Sequence, residues 1–171
     1  LEGSRLQATV RGLVAEGFDV SDAFVDVTDV DTLSRQIEEI DQDKPLSTVV
    51  ANAGVGLEKA FALVTETEFD RIFSVNVKGT YFTMQAAFRC MVNRGSGSII
   101  AIASTSSFAA STGQMSIYDS SKGAVRSLVG AVAKEVASTG IRVNAIAPGT
   151  VATQLTRRLA TDAQLQDLAL N

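Results

Sequence analysis

Three short, nearly continuous apolar segments, residues 46–51, 98–103 and 141–147, set the first constraint on this chain. A strand that is apolar on both faces needs helices above and below it, which a parallel sheet in a layered α/β fold supplies. The stretches between these segments carry helical periodicity. Leu6, Val10, Leu13 and Val14 recur at helical spacing, and Gly17 follows as a stop. Residues 20–25 read as a further strand, so the pattern predicts four strands joined by right-handed crossovers. Thr28 or Asp29 can cap a helix whose apolar positions include Val30, Leu33, Ile37 and Ile40, and Pro45 breaks it. Thr65 stands three residues before Glu68, the spacing of a capping box, and opens a long helix over 66–93 with Asn76 and Gly79 in its interior. Another helix is predicted over 117–138, closed by Gly140, while residues 150–171 read as loop and short helix. No repeat, linker or low-complexity tract interrupts the alternation. One domain over residues 1–171 is expected, a three-layer α/β/α sandwich built on a parallel sheet.

Composition removes whole classes of chemistry. The chain has no histidine, which excludes Ser-His-Asp and Cys-His catalysis and most zinc sites. Cys90 is the single cysteine, so no disulfide framework or multi-cysteine metal site is expected. With 46% hydrophobic and 20% charged residues and 2 prolines, the chain reads as compact rather than disordered. A formal net charge of -4 gives no reason to expect nucleic acid or an anionic membrane as a partner. No apolar run of about 18 residues and no basic segment leading into an apolar one is found. The expected location is the cytoplasm.

In open parallel sheets, ligands collect beyond the carboxyl ends of the strands. Asn52, Ser104 and Pro148-Gly149 each follow a predicted strand end directly, and Tyr118 opens the next helix toward the same edge. Tyr118 and Lys122 are four residues apart and share a helical face. A phenol, with an ordinary pKa of about 10, is a poor acid or base at neutral pH, and a nearby cation brings it toward the useful range. Taken alone, the pair reads as an aromatic packed beside an exposed lysine, which many helices carry. Ser104 can donate to a carbonyl or alkoxide oxygen. It can also cap a turn within the cluster Ser104, Thr105, Ser106 and Ser107, and the pattern does not choose among the four. Asn76 lies inside an apolar helix, where its side chain needs a partner. A local helix distortion would provide one, and can hold an ordered water.

These motifs, in this order, resemble the classical short-chain dehydrogenase/reductase family over residues 10–153. Ala51-Asn52-Ala53-Gly54 is similar to the family's Asn-Asn-Ala-Gly segment beside the cofactor, with Ala51 in place of the first asparagine. Asn76-Val77-Lys78-Gly79 is similar to the motif that carries the catalytic asparagine. Residues 98–104 resemble the strand that ends at the catalytic serine, so the resemblance selects Ser104 from its cluster. Tyr118 and Lys122 match the Tyr-x-x-x-Lys pair, Pro148, Gly149 and Thr153 the segment at the nicotinamide carboxamide, and Asp26-Val27 the pair at the adenine ring. The resemblance implies a Rossmann-like fold and hydride transfer between NAD or NADP and a small carbonyl or alcohol. Tyr118 would be the acid or base, and Lys122 would lower its pKa and bind the nicotinamide ribose. Ser104 would polarise the substrate oxygen, and Asn76 would fix a water leading from Lys122.

The family's glycine-rich turn, its first two strands and its last strand find no counterpart here. Gly95-x-Gly97 lies between helix and strand, the reverse of the order that a dinucleotide turn requires. The expectation is a partial NAD(P)-binding domain of a longer enzyme, without the pyrophosphate cradle. The alternative is a non-catalytic, family-like ligand-binding or interaction protein. NAD and NADP stay open, because the residue that reads the ribose 2′ position belongs to the end of the second strand. The helices over 66–93 and 117–138 resemble those that pair in family homodimers and homotetramers. Phe108, Met115, Leu155 and Leu159 are candidates for an apolar pocket wall, and Glu58, Arg157 and Arg158 for charged contacts.

Overall fold

The structure is a computed structural model, and it describes residues 3–151 together with Thr153 and Thr156. Helix α1 (Gly3–Ala15) ends before Gly17, whose φ of 90° marks the left-handed stop. Helix α2 (Val30–Asp43) starts at Asp29, whose carboxylate accepts the Thr32 N–H at 3.2 Å. It ends at an extended Lys44, as the following proline demands. Strand β1 (Thr48–Ala51), helices α3 (Glu66–Phe73) and α4 (Thr80–Val92), strand β2 (Gly97–Ile102), helix α5 (Ser116–Glu135) and strand β3 (Ile141–Ile146) follow. The capping box is complete: Glu68 N–H donates to Thr65 Oγ1, and Thr65 N–H donates to Glu68 Oε2 at 2.9 Å. The long helix predicted over 66–93 is interrupted by a π-helical turn at Ser74–Gly79, centred on Asn76.

The three strands are parallel, in the order β1-β2-β3. Val49 pairs with Ile99 and Ile99 with Val143, so residues of one face align across the sheet. Helices α4 and α5 cover that face, and α2 packs outside α4. Met84, Ala87 and Met91 of α4 and Val125 and Val129 of α5 meet Ala51, Ile99, Ala101 and Val143 there. On the other face, Val50 is 50% and Ile146 51% exposed. The parallel α/β architecture is thus as expected, and the described residues supply its sheet and one helical layer.

One expectation needs correction. Residues 20–25 have strand-like composition but form no strand. A strand exists through its ladder, and none of the described strands pairs with this segment. The loop and short helix predicted over 150–171 lie almost wholly outside the described residues.

Two contacts lock the strand ends. Arg94 donates to both oxygens of Asp41 at 2.8 Å and to the Leu46 carbonyl at 3.0 Å, while Asp41 also accepts the Leu46 N–H. This ties the lead into β1 to the ends of α2 and α4, and hydrogen bonding to Arg94 holds the Asp41 carboxyl below its ordinary pKa. Gly140 enters β3 at φ 78°, and a Cβ there would run into the Gly95 carbonyl. Gly140→Ala should therefore cost more than about 1 kcal/mol in urea denaturation. Gly130→Ala, in open space on α5, should be neutral or stabilising by up to about 1 kcal/mol.

Candidate active site

All three strands end at one edge, where a cleft of about 490 Å³ opens. Asn52 and Gly54 line it after β1, Ser104 after β2, and Pro148 and Gly149 after β3. Tyr118 and Lys122 enter from the first turns of α5, and Thr153 and Thr156 complete the wall. Crossover topology thus gathers residues as far apart in sequence as 52 and 153 at one place.

Ser104 caps the turn at Thr105–Ser107, its Oγ accepting the Ser106 N–H at 3.2 Å and the Ser106 hydroxyl at 3.0 Å. Of the four hydroxyl residues in that cluster it is the one that lines the cleft, while Ser107 is buried and donates to the Ser104 carbonyl. Capping and facing the cleft are therefore compatible roles.

The Lys122 ammonium is buried, donates to the Ile102 carbonyl at 2.7 Å and lies 5.9 Å from the centroid of the Tyr118 ring. Burial pushes its pKa down. Burial also pushes the Tyr118 phenol up, the Ser104 hydroxyl opposes that shift, and the Asp119 carboxylate adds to it. Loss of water around the phenol is the largest of these causes, and Lys122 is not among them.

Asn76 does not line the cleft; it stands behind it, 0% exposed. Its Oδ1 accepts the Val55 N–H at 2.8 Å, and its Nδ2 donates to the Val55 carbonyl and to Ser121 Oγ, both at 2.9 Å. Ser121 in turn donates to the Tyr118 carbonyl at 2.7 Å. A Cβ on Gly54 would lie 3.5 Å from both Asn76 Oδ1 and Lys122 Nζ, so the glycine keeps these polar atoms close to the cleft wall.

The remaining candidates sit apart. Asp26 accepts the Thr28 N–H and hydroxyl at 2.9 and 2.8 Å, bonds that pull its pKa down. Val27 packs on the π-helical turn, where a Cβ on Gly79 would come within 2.8 Å of Val27 Cγ2. Neither lines the cleft, nor does the exposed Ala53. Phe108 is exposed with Arg126 4.5 Å from its ring centroid, and Glu58 sits beside Gly113 rather than in the cleft. Leu155, Leu159, Arg157 and Arg158 lie outside the described residues. Sequence reading passed over Ser121, although a serine on the helical face that carries buried Val125 was a signal for a buried polar partner.

A parallel sheet with its cleft at the carboxyl edge is a Rossmann-like arrangement. The chain belongs to the short-chain dehydrogenase family: residues 2–164 match the family model described as short chain dehydrogenase. It is 34% identical to gluconate 5-dehydrogenase of Gluconobacter oxydans over 163 residues, which is 95% of this chain and 63% of that protein. It is 34% identical to acetoacetyl-CoA reductase of Synechocystis over 137 residues, 80% of this chain and 57% of that one. Among solved structures it superposes with a TM-score of 0.88 on a short-chain type dehydrogenase/reductase from Mycobacterium marinum (34% identity), covering 92% of this chain and 63% of the other. A gluconate 5-dehydrogenase from Burkholderia cenocepacia in complex with NADP and tartrate gives 0.85 at 30% identity, covering 94% and 63%. The chain thus spans less than two thirds of the length of these relatives.

Removing the Asn76 side chain orphans both Val55 backbone groups and takes away the donor to Ser121 Oγ, whose own bond to the Tyr118 carbonyl stays. Asn76→Ala should destabilise by about 2–4 kcal/mol and Ser121→Ala by about 1 kcal/mol, read from urea denaturation midpoints.

Proposed function

We propose that the protein is an NAD(P)-dependent oxidoreductase that moves a hydride between the nicotinamide and a small carbonyl or secondary alcohol. The convergence of Tyr118, Lys122 and Ser104 on one cleft at the carboxyl edge carries this reading. The residues present fit the nicotinamide half of the cofactor. The cleft volume suits a nucleoside-sized group. The backbone at Gly149 is open as well, since a Cβ there would reach no atom closer than Thr105 Cγ2 at 4.0 Å. The Burkholderia relative, in complex with NADP, lends support to the cofactor class.

A bound nicotinamide supplies or accepts the hydride, and the protein supplies position and protons. Tyr118, with its pKa raised by burial, carries its proton at neutral pH and gives it to the carbonyl oxygen in reduction. Oxidation needs the phenolate and should gain as pH rises. Ser104 orients and polarises the same oxygen. Lys122 holds the ribose hydroxyls. A water relay at Asn76 is supported by the approach of its Oδ1 and the Lys122 ammonium to one point beside Gly54. Asn52, Gly54, Pro148, Gly149 and Thr153 would wall the nicotinamide, with Ala53 between the first two but off the cleft, and Asp26 and Val27 would take the adenine end.

We read residues 1–171 as one partial NAD(P)-binding domain. A homodimer or homotetramer is supported by the exposed Phe69 and Tyr81 on α3 and α4, and a cytoplasmic location is the matching proposal. None of the described helices is long and apolar enough to cross a membrane.

Tyr118→Phe in the full-length protein should lower kcat for ketone reduction by about 10²–10⁴-fold, with binding of NADH or NADPH unchanged within a few-fold. Steady-state oxidation of NADH and of NADPH over a panel of small ketones and keto acids, beside a binding titration, measures both. A Tyr118→Phe enzyme with full activity would refute the assignment.

A further inference from the structure

The segment that joins Ser104 to Tyr118 carries one functional group at each end, so its placement fixes their separation. It is held at several points. Asp119 Oδ2 accepts the Ser111 N–H at 2.8 Å, and its Oδ1 accepts the Ser111 hydroxyl at 2.7 Å. From the loop after β1, Lys59 N–H donates to the Gln114 carbonyl at 2.8 Å, and Glu58 lies against Gly113. Lys59 is itself fixed, its ammonium 2.7 and 2.8 Å from the two oxygens of Glu68 at the start of α3. That bond helps hold the Glu68 pKa down at about 2. Arg126 stacks on Phe108 at the other end.

We propose that Asp119 is a positioning residue for the reaction. Its carboxylate clasps Ser111 and so sets the segment between Ser104 and Tyr118. The inference rests on the proton-transfer role assigned to Tyr118. A two-point clasp of backbone N–H and hydroxyl by one carboxylate is a directional restraint, stronger than a neutral turn contact. Among the described residues, the groups around the phenol are few. Lys122 and Asp119 come from its own helix and Ser104 from the end of β2, with the neutral Asn76 behind. Glu58 and Lys59 hold the far side of the segment, and Lys59 is paired. Among the described residues, Asp119 is thus a negative charge next to Tyr118 in the chain that favours its protonated form.

Two readouts on the full-length protein test this without a known substrate. The first is the phenolate absorbance titration of Tyr118, taken as the difference from Tyr118→Phe. The second is amide hydrogen exchange across residues 109–115. Asp119→Asn, which keeps the shape but not the charge, should move the Tyr118 midpoint down, while Ser111→Ala should leave it in place. Asp119→Ala should speed exchange at Ser111 by about tenfold, and Ser111→Ala, which keeps the backbone bond, by less. An unmoved midpoint in Asp119→Asn, with or without faster exchange, would reduce Asp119 to a structural cap and overturn the proposal. A fully active Tyr118→Phe enzyme would instead remove the proton-transfer reading and leave both of these readouts as they stand.

Discussion

The hydrogen bonds of one buried amide hold this site together. Asn76 grips the backbone of Val55 from both sides and reaches across to Ser121. It therefore joins the segment leaving β1, the kink between α3 and α4, and the first turns of α5. An amide buried without partners would be costly. Here its two donors and its acceptor oxygen are all used, at the position where the helix widens into a π-helical turn. The widened turn and the amide explain each other: an uninterrupted α-helix offers the side chain no such reach, and without its partners the distortion has no compensation. Val27 seated against Gly79 extends the same junction to the segment before α2.

From that junction the chemistry follows by burial. Tyr118 and Lys122 are both withdrawn from water, which moves the phenol up and the ammonium down. Desolvation favours the neutral form of each group. The ammonium keeps its charge supported by the Ile102 carbonyl.

Much of this was legible in the sequence because it depends on local rules. The Asp29 cap, the Thr65–Glu68 box, the glycine stops at 17 and 140 and the three apolar strands are each decided within a few residues. The i, i+4 spacing brought Tyr118 and Lys122 to one face, and a distortion at Asn76 was readable from a polar residue in an apolar helix. What the sequence hid depends on partners far away in the chain. Residues 20–25 carry a strand pattern but no ladder. Ser121 matters only because a residue 45 positions earlier points at it, and Asp119 matters only because the preceding loop folds back to Ser111. The balance of burial against charge at Tyr118 is likewise a property of the packed cleft, where the sequence offered only the neighbouring lysine.

The central claim is that this cleft receives a nicotinamide whose ribose is held by Lys122. Calorimetric titration of the full-length protein with NAD(H) and NADP(H), beside Lys122→Ala, tests it most directly. The account predicts binding of at least one of the two cofactors, weakened by about tenfold or more in the variant, the loss of a charge-assisted hydrogen bond. Failure of the intact protein to bind either, or equal binding by Lys122→Ala, would contradict it.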